Sequence, residues 1–146
     1  MKAFAALYRR LDETTKTNEK VAALAEYFRD ATPESSAWAI YFLTGRKLKR
    51  AMTTRELRDA CLEATGLSEW LFEECYDAVG DLAEVVAILL PDPERSSDVP
   101  LHQWIENRLL PLRTLDEGQR RRVLIDSWNE LDRLERLVWN KLLTGS

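Results

Sequence analysis

SEWLFEECYDAVGDLAEVVAILLP, residues 68–91, reads as two helices joined with almost no linker. Ser68 offers a side-chain oxygen to the unpaired N–H groups of a first turn, and Glu69 sets a carboxylate at the positive helix end. Leu71, Cys75, Ala78 and Val79 recur at the spacing of one buried face. Gly80 ends that helix, since glycine enters the left-handed conformation without a Cβ penalty. Asp81 caps the next, in which Leu82, Val85, Val86 and Leu89 point inward. A stop, a cap and a new apolar period within three residues predict packed helices and no sheet.

The same punctuation extends outward in both directions. A first helix covers Lys2–Glu13. Thr17 caps a second with Val21, Leu24, Ala25 and Phe28 inward, and Thr32-Pro33 opens a third whose apolar side is Trp38, Tyr41 and Phe42. That helix stops at Thr44-Gly45. A fourth runs from Thr53 or Thr54 to Gly66. Beyond the opening stretch, PDPERSSDVP (91–100) is a tolerant surface loop. Leu101, Trp104, Ile105 and Leu109 mark the next helix, Thr114 caps another that reaches Trp128, and a last one carries Leu134, Leu137, Val138 and Leu142. About eight helices result. No run alternates in the manner of a strand, and no fixed-period repeat suggests a solenoid. The expected fold class is all-α, one compact domain.

The chain has 146 residues, enough for one domain with a proper core. No apolar run approaches the ~20 residues of a membrane span, and the first ten residues become charged too soon for a signal peptide. Two cysteines, Cys61 and Cys75, fall in apolar helical patterns and read as buried free thiols of a reducing cytoplasm. The net charge of -4 is sorted along the chain: residues 44–58 carry +5 and residues 59–99 carry -10. Local potential steers a partner more than the total does.

Catalytic patterns are missing. There is no GxxxxGK[ST], GxGxxG or GxSxG. His102, the single histidine, reads as structural, with no nucleophile placed to serve it. Glu69, Glu73, Glu74, Asp77 and Asp81 lack the order of a calcium loop and read as a solvated face. The five tryptophans read as core. The segment TGRKLKR (44–50) is different. Four of its seven residues are cationic and it follows a helix end, so it joins positive charge to accessible backbone donors, as phosphate binding requires; the alternative is a bare surface loop with solvated lysines and arginines.

Five stretches together resemble the N-terminal DNA-binding domain of ATP-dependent DNA ligases, most closely the bacterial type. They are TNEKVAALAEYF (17–28), AWAIYFLTGRKLKR (37–50), the opening stretch, PLHQWIENRLLPLR (100–113) and LVWNKLLTGS (137–146). GDLAEVVA (80–87) is similar to the Gly-Asp-Leu-Gly-x-Val-Ala signature of archaeal and eukaryotic members, with Ala83 at the second glycine. The resemblance implies an all-α domain spanning 1–146 that grips the minor-groove side of nicked duplex DNA through backbone contacts, in repair, recombination or replication. It implies that catalysis, with ATP and a divalent metal such as magnesium, belongs to downstream nucleotidyltransferase and OB-fold domains. No lysine here begins the Lys-x-Asp-Gly motif of the family's nucleotidyltransferase, so the chain is expected to perform no chemistry and to need no cofactor. Family members usually continue past this Thr-Gly with an arginine–glycine segment, so the resemblance implies that the chain is the first part of a longer ligase.

Carried over residue by residue, the expected DNA contacts are Thr44, Gly45, Arg46, Lys47, Lys49 and Arg50 in one loop, Gly80 and Asp81 in the signature, and Lys141, Thr144 and Gly145 at the last helix end. Gly80 would let backbone approach DNA, and Asp81 has the alternative of a plain helix cap. Arg120, Arg121 and Arg122 read as a solvated face. The expected partners are nicked double-stranded DNA and the protein's own catalytic domains, with no membrane, as a monomer in the bacterial cytoplasm at the nucleoid. The competing readings are a helical protein–protein adaptor, using the -10 segment against a basic partner, and an autonomous helical enzyme.

Overall fold

Side-chain caps fix where most helices begin. Thr32, Thr53, Ser68, Asp81, Asp116 and Asp132 each accept a hydrogen bond from the backbone N–H three residues on, satisfying donors that a first turn leaves unpaired. At Thr53, Asp116 and Asp132 the residue three on reaches back to the cap's own N–H and completes a capping box.

In the computed structural model, which describes residues 1–145, the helices are α1 (Lys2–Glu13), α2 (Thr17–Asp30), α3 (Pro33–Leu43), α4 (Thr54–Thr65), α5 (Glu69–Val79), α6 (Leu82–Leu89), α7 (101–112), α8 (Glu117–Trp128) and α9 (Arg133–Thr144). No strand occurs among the described residues, and the domain is all-α as expected. The middle of α7, Trp104–Leu109, widens to π geometry between α-helical ends. Pro111 lies just beyond; it offers no N–H to the residue four before it and crowds that carbonyl, and a wider turn relieves both.

α9 is the central element, packed on α6 and α1, while α4 packs on α6 and α8, and α3 on the start of α7. Trp104, Trp128 and Trp139 are fully buried, and the Trp104 and Trp139 rings meet edge to face at 5.1 Å. Two polar side chains organise this core. Asn140 accepts from Trp128 Nε1 at 2.9 Å and donates to the Ala83 carbonyl at 3.2 Å, tying α9 to α8 and α6. The Arg136 guanidinium donates to the Trp128 carbonyl at 2.7 and 3.0 Å and to the Pro91 carbonyl at 2.8 Å. A buried cation needs such acceptors in place of water.

Several expectations shift by part of a turn. The buried face of α2 is Ala23 and Tyr27, flanked by half-buried Leu24 and Phe28, while Val21 is 57% exposed. Phe4 of α1 packs against the Tyr27 ring at 6.2 Å and sets that face. In α5 the buried residue is Phe72, and Leu71, Ala78 and Val79 are exposed; the Phe72 ring lies beside the Arg58 guanidinium of α4, 5.7 Å from its centre. Thr17 is the first residue of α2 and not its cap, and α8 is capped by Asp116, while the Thr114 hydroxyl donates to the Pro111 carbonyl at 2.9 Å. Cys61 is buried as expected, whereas Cys75 is only half-buried. Trp70 departs furthest: it is 71% exposed.

Candidate nucleic-acid interface

The TGRKLKR loop leaves the end of α3 along a backbone path fastened at several points. The Thr44 hydroxyl donates to the Ile40 carbonyl at 2.8 Å, and Gly45 turns the chain at φ 86°, where a side chain would be strained. The Arg46 N–H donates to the Tyr41 carbonyl at 3.2 Å, and the Tyr41 hydroxyl donates to the Lys47 carbonyl at 3.2 Å. Arg113, from the end of α7, donates to the Lys49 carbonyl at 2.7 Å. Past the loop, the N–H groups of Ala51 and Met52 both donate to the Leu143 carbonyl at the end of α9, at 2.9 and 3.2 Å. The loop is thus pinned by α3, α7 and α9 while its cationic side chains stay exposed.

Those side chains are electrostatically unsatisfied. Arg46, Lys47, Lys49 and Arg50 make no ion pair among the described residues. Arg46 only lies beside the Tyr41 ring, 5.9 Å from its centre. The other cations of the +5 segment are spent: Arg55 faces Asp59 and Glu117, and Arg58 faces Glu73 at 2.9 Å.

Two of the three expected patches line one groove, and Gly80 and Asp81 lie outside it. Gly45, Arg46, Lys47 and Leu48 line one wall of a groove of about 260 Å³, and Lys141 and Gly145 line the other. Gly145 turns the chain at φ 71°, where a side chain would be strained, beside the Leu48 carbonyl. No acidic side chain among the described residues lines the groove. Lys49 and Arg50 border an adjoining hollow with Arg113 and Arg120. Its one carboxylate, Glu56, is bound by Arg120 Nε at 2.8 Å.

Asp81 and Lys141 behave differently from the loop. They bind each other, Lys141 Nζ donating to Asp81 Oδ2 at 2.9 Å, while Asp81 Oδ1 caps α6. Burial pulls Lys141 down and Asp81 up, but their mutual hydrogen bond and charge outweigh it, so Lys141 sits above the usual lysine value and Asp81 below the usual aspartate value. Lys141 is therefore largely neutralised, and Asp81 fills the cap role and an ion-pair role the sequence did not disclose. Gly80 ends α5 at φ 82° with open space around its Cα. Thr144 is half-buried and donates to the Asn140 carbonyl at 2.9 Å.

Two readings from the sequence change here. Arg120 is not on a solvated face; it reaches Glu56, as Arg121 reaches Asp59, Glu63 and Glu117. His102 does have a hydroxyl beside it, Ser35 Oγ, 3.0 Å from Nδ1. Ser35 is 4% exposed and accepts from the His102 N–H at 3.3 Å, so the pair joins α3 to the start of α7. Tyr41 and Arg113 were missed as supports of the loop. Arg113 lies 64 residues from its partner and carried no local signal; Tyr41, one turn before the loop, was legible only as an apolar residue.

The family model described as DNA ligase N terminus matches residues 1–146. The chain belongs to this family. It is also 33% identical over 85 residues to a probable DNA ligase of Dictyoglomus thermophilum, a match covering 54% of this chain and 15% of that protein. The chain thus spans a small part of that relative's length. No solved structure matches this ligase N-terminal domain.

Proposed function

We propose that this ligase N-terminal domain performs no chemistry of its own and holds nicked duplex DNA along the minor groove, with little regard to sequence, for catalytic domains of the same protein. The observation that carries the reading is the loop of four exposed, unpaired cations, Arg46, Lys47, Lys49 and Arg50, on a backbone pinned from three helices. A rigid array of positive charge binds phosphate with little ordering cost, and phosphate contacts fix orientation without reading bases. The role in ligation is positioning: a held nick lowers the entropic cost of aligning its 3′-hydroxyl and 5′-phosphate under a catalytic domain. Gly45 and Gly145 line the groove and turn the chain there at φ 86° and 71°.

ATP and a divalent metal belong, in this reading, to the rest of the ligase. Among the described residues no group of three or more carboxylate, imidazole or thiol side chains is arranged to hold a metal ion. The domain acts as a monomer in the bacterial cytoplasm, at the nucleoid, in repair, recombination or replication.

The test is fluorescence anisotropy with nicked and intact duplex across a salt series. Binding that spans four phosphates loses roughly two orders of magnitude between 50 and 200 mM salt, from a slope of about −0.9 per contact. Alanine at Arg46, Lys47, Lys49 and Arg50 together removes most of that slope. Binding unaffected by this replacement refutes the loop; tight binding of the wild-type domain that ignores salt refutes phosphate recognition altogether. A protein–protein adaptor is the second reading, favoured by Trp70, 71% exposed on α5 beside Glu74 and Asp77, which make no ion pair among the described residues.

A further inference from the structure

Helix α5 keeps little of itself inside. Of its eleven residues only Phe72 is buried, with Cys75 and Tyr76 half-buried beside it. At 3.6 residues per turn, Trp70, Glu74 and Asp77 stack on the side of the helix away from Phe72. Leu71 and Ala78, seven residues apart, flank that stack. Trp70 is 71% exposed and Leu71 39%, and Ala78 is exposed with them. A lone exposed apolar side chain is ordinary, whereas a tryptophan with aliphatic neighbours at helical spacing marks an interaction surface. The stripe whose period reads as buried in the sequence is apolar, and the described residues leave most of it uncovered.

The charge on this helix is one-sided. It carries Glu69, Glu73, Glu74 and Asp77 and no lysine or arginine. Among the described residues the one cation paired with it is Arg58 of α4, which reaches Glu73 at 2.9 Å and Glu69 at 4.0 Å and is shared with Asp59. Glu74 and Asp77, the two carboxylates that stand with Trp70, make no ion pair among the described residues. Their field repels the phosphates of nucleic acid and attracts cationic side chains. An indole face adds to that preference, since it attracts lysine and arginine. The shape favours a helix as the occupant. From Trp70 to Val79 the surface runs roughly 14 Å at 1.5 Å per residue, and the seven-residue spacing of Leu71 and Ala78 is that of a helix–helix seam.

We infer that the outer face of α5 docks a basic amphipathic helix of a partner protein, whose aliphatic side chains cover Trp70, Leu71 and Ala78 and whose lysines or arginines meet Glu74 and Asp77. This face is additional to the DNA-holding loop and does not rest on it: no residue of α5 lines the cationic groove or the hollow beside it.

The probe is a fluorescein-labelled amphipathic helix of leucine and lysine, with the same helix carrying glutamate for lysine as control. Anisotropy against the 146-residue chain reads the affinity. The lysine helix binds and the glutamate helix does not. Trp70→Ala weakens the lysine helix about tenfold, as truncation of a tryptophan anchor does. The Glu74→Gln/Asp77→Asn double variant weakens it about fivefold and flattens its salt dependence. All three side chains are exposed, so the core is untouched; circular dichroism checks that each variant is folded, and nicked-duplex anisotropy stays at the wild-type value in both. No binding by the lysine helix overturns the inference, as does equal binding by the glutamate helix. Undiminished affinity in either variant overturns it as well, so the double variant keeps the test decisive if Trp70→Ala does not fold. Failure of the wild-type domain to bind nicked duplex while it binds the lysine helix sinks the proposed function and leaves this face standing.

Discussion

Asp81→Asn separates the two roles of the signature aspartate. Asparagine caps a helix about as well as aspartate, so the hydrogen bond to the Glu84 N–H is retained. What disappears is the charge that holds Lys141 at 2.9 Å. The side chains are 23% and 39% exposed, so solvent screens the pair, and its loss costs about 0.5–1 kcal/mol. The freed ammonium lies on the wall opposite Arg46 and Lys47 and adds a third unpaired cation to the groove. One further phosphate contact steepens the salt slope by about 0.9 and tightens nicked-duplex binding roughly five- to tenfold at low salt. Stability therefore falls while DNA affinity rises, a combination that general unfolding cannot produce. Urea denaturation and anisotropy measure the two. The stability difference follows pH: a lowered aspartate contributes above its unfolded value near 4 and is lost as pH falls through the folded one, and a raised lysine contributes below its unfolded value near 10.5 and is lost as pH rises through the folded one. The wild-type advantage is thus full between about pH 5 and 10. Unchanged or weaker DNA binding in Asp81→Asn refutes the reasoning and removes Lys141 from the interface.

Glu56→Ala breaks the capping box of α4 and leaves Arg120 without its carboxylate, destabilising the domain by about 3 kcal/mol in urea. Burial raises Glu56, but the Thr53 N–H and Arg120 outweigh it and hold it below the usual glutamate range, so its contribution fades as pH falls below about 4. A loss under about 1 kcal/mol contradicts this account. Cys61 is fully buried, with its thiol pushed up to about 12 by burial, so a thiol reagent at pH 8 leaves it unmodified in the folded domain and modifies it in urea, read by intact mass. Rapid native labelling of Cys61 argues against the core as described.

What was legible in the sequence is local. Thr32-Pro33, Ser68, Gly80-Asp81 and the apolar period of α6 act within a turn or two, and each stands where it was expected because capping and 3.6-residue periodicity are short-range physics. The TGRKLKR charge was legible for the same reason, since four cations in seven residues need no fold to be counted. The faces of α2 and α5 were not. Periodicity says that a helix has a buried stripe, and only the neighbour says which, as Phe4 does for Tyr27. The ion pairs lay still further out of reach: Lys141 with Asp81 and Arg120 with Glu56 join residues 60 and 64 apart. Composition counts a charge whether or not it is spent, and pairing is decided across space. The sequence by itself determined an all-α ligase N-terminal domain and where its free-looking cations cluster. The tertiary structure alone decided that Arg46, Lys47, Lys49 and Arg50 remain unpaired while Lys141 does not, because only packed helices bring a carboxylate within reach of one and keep it from the others.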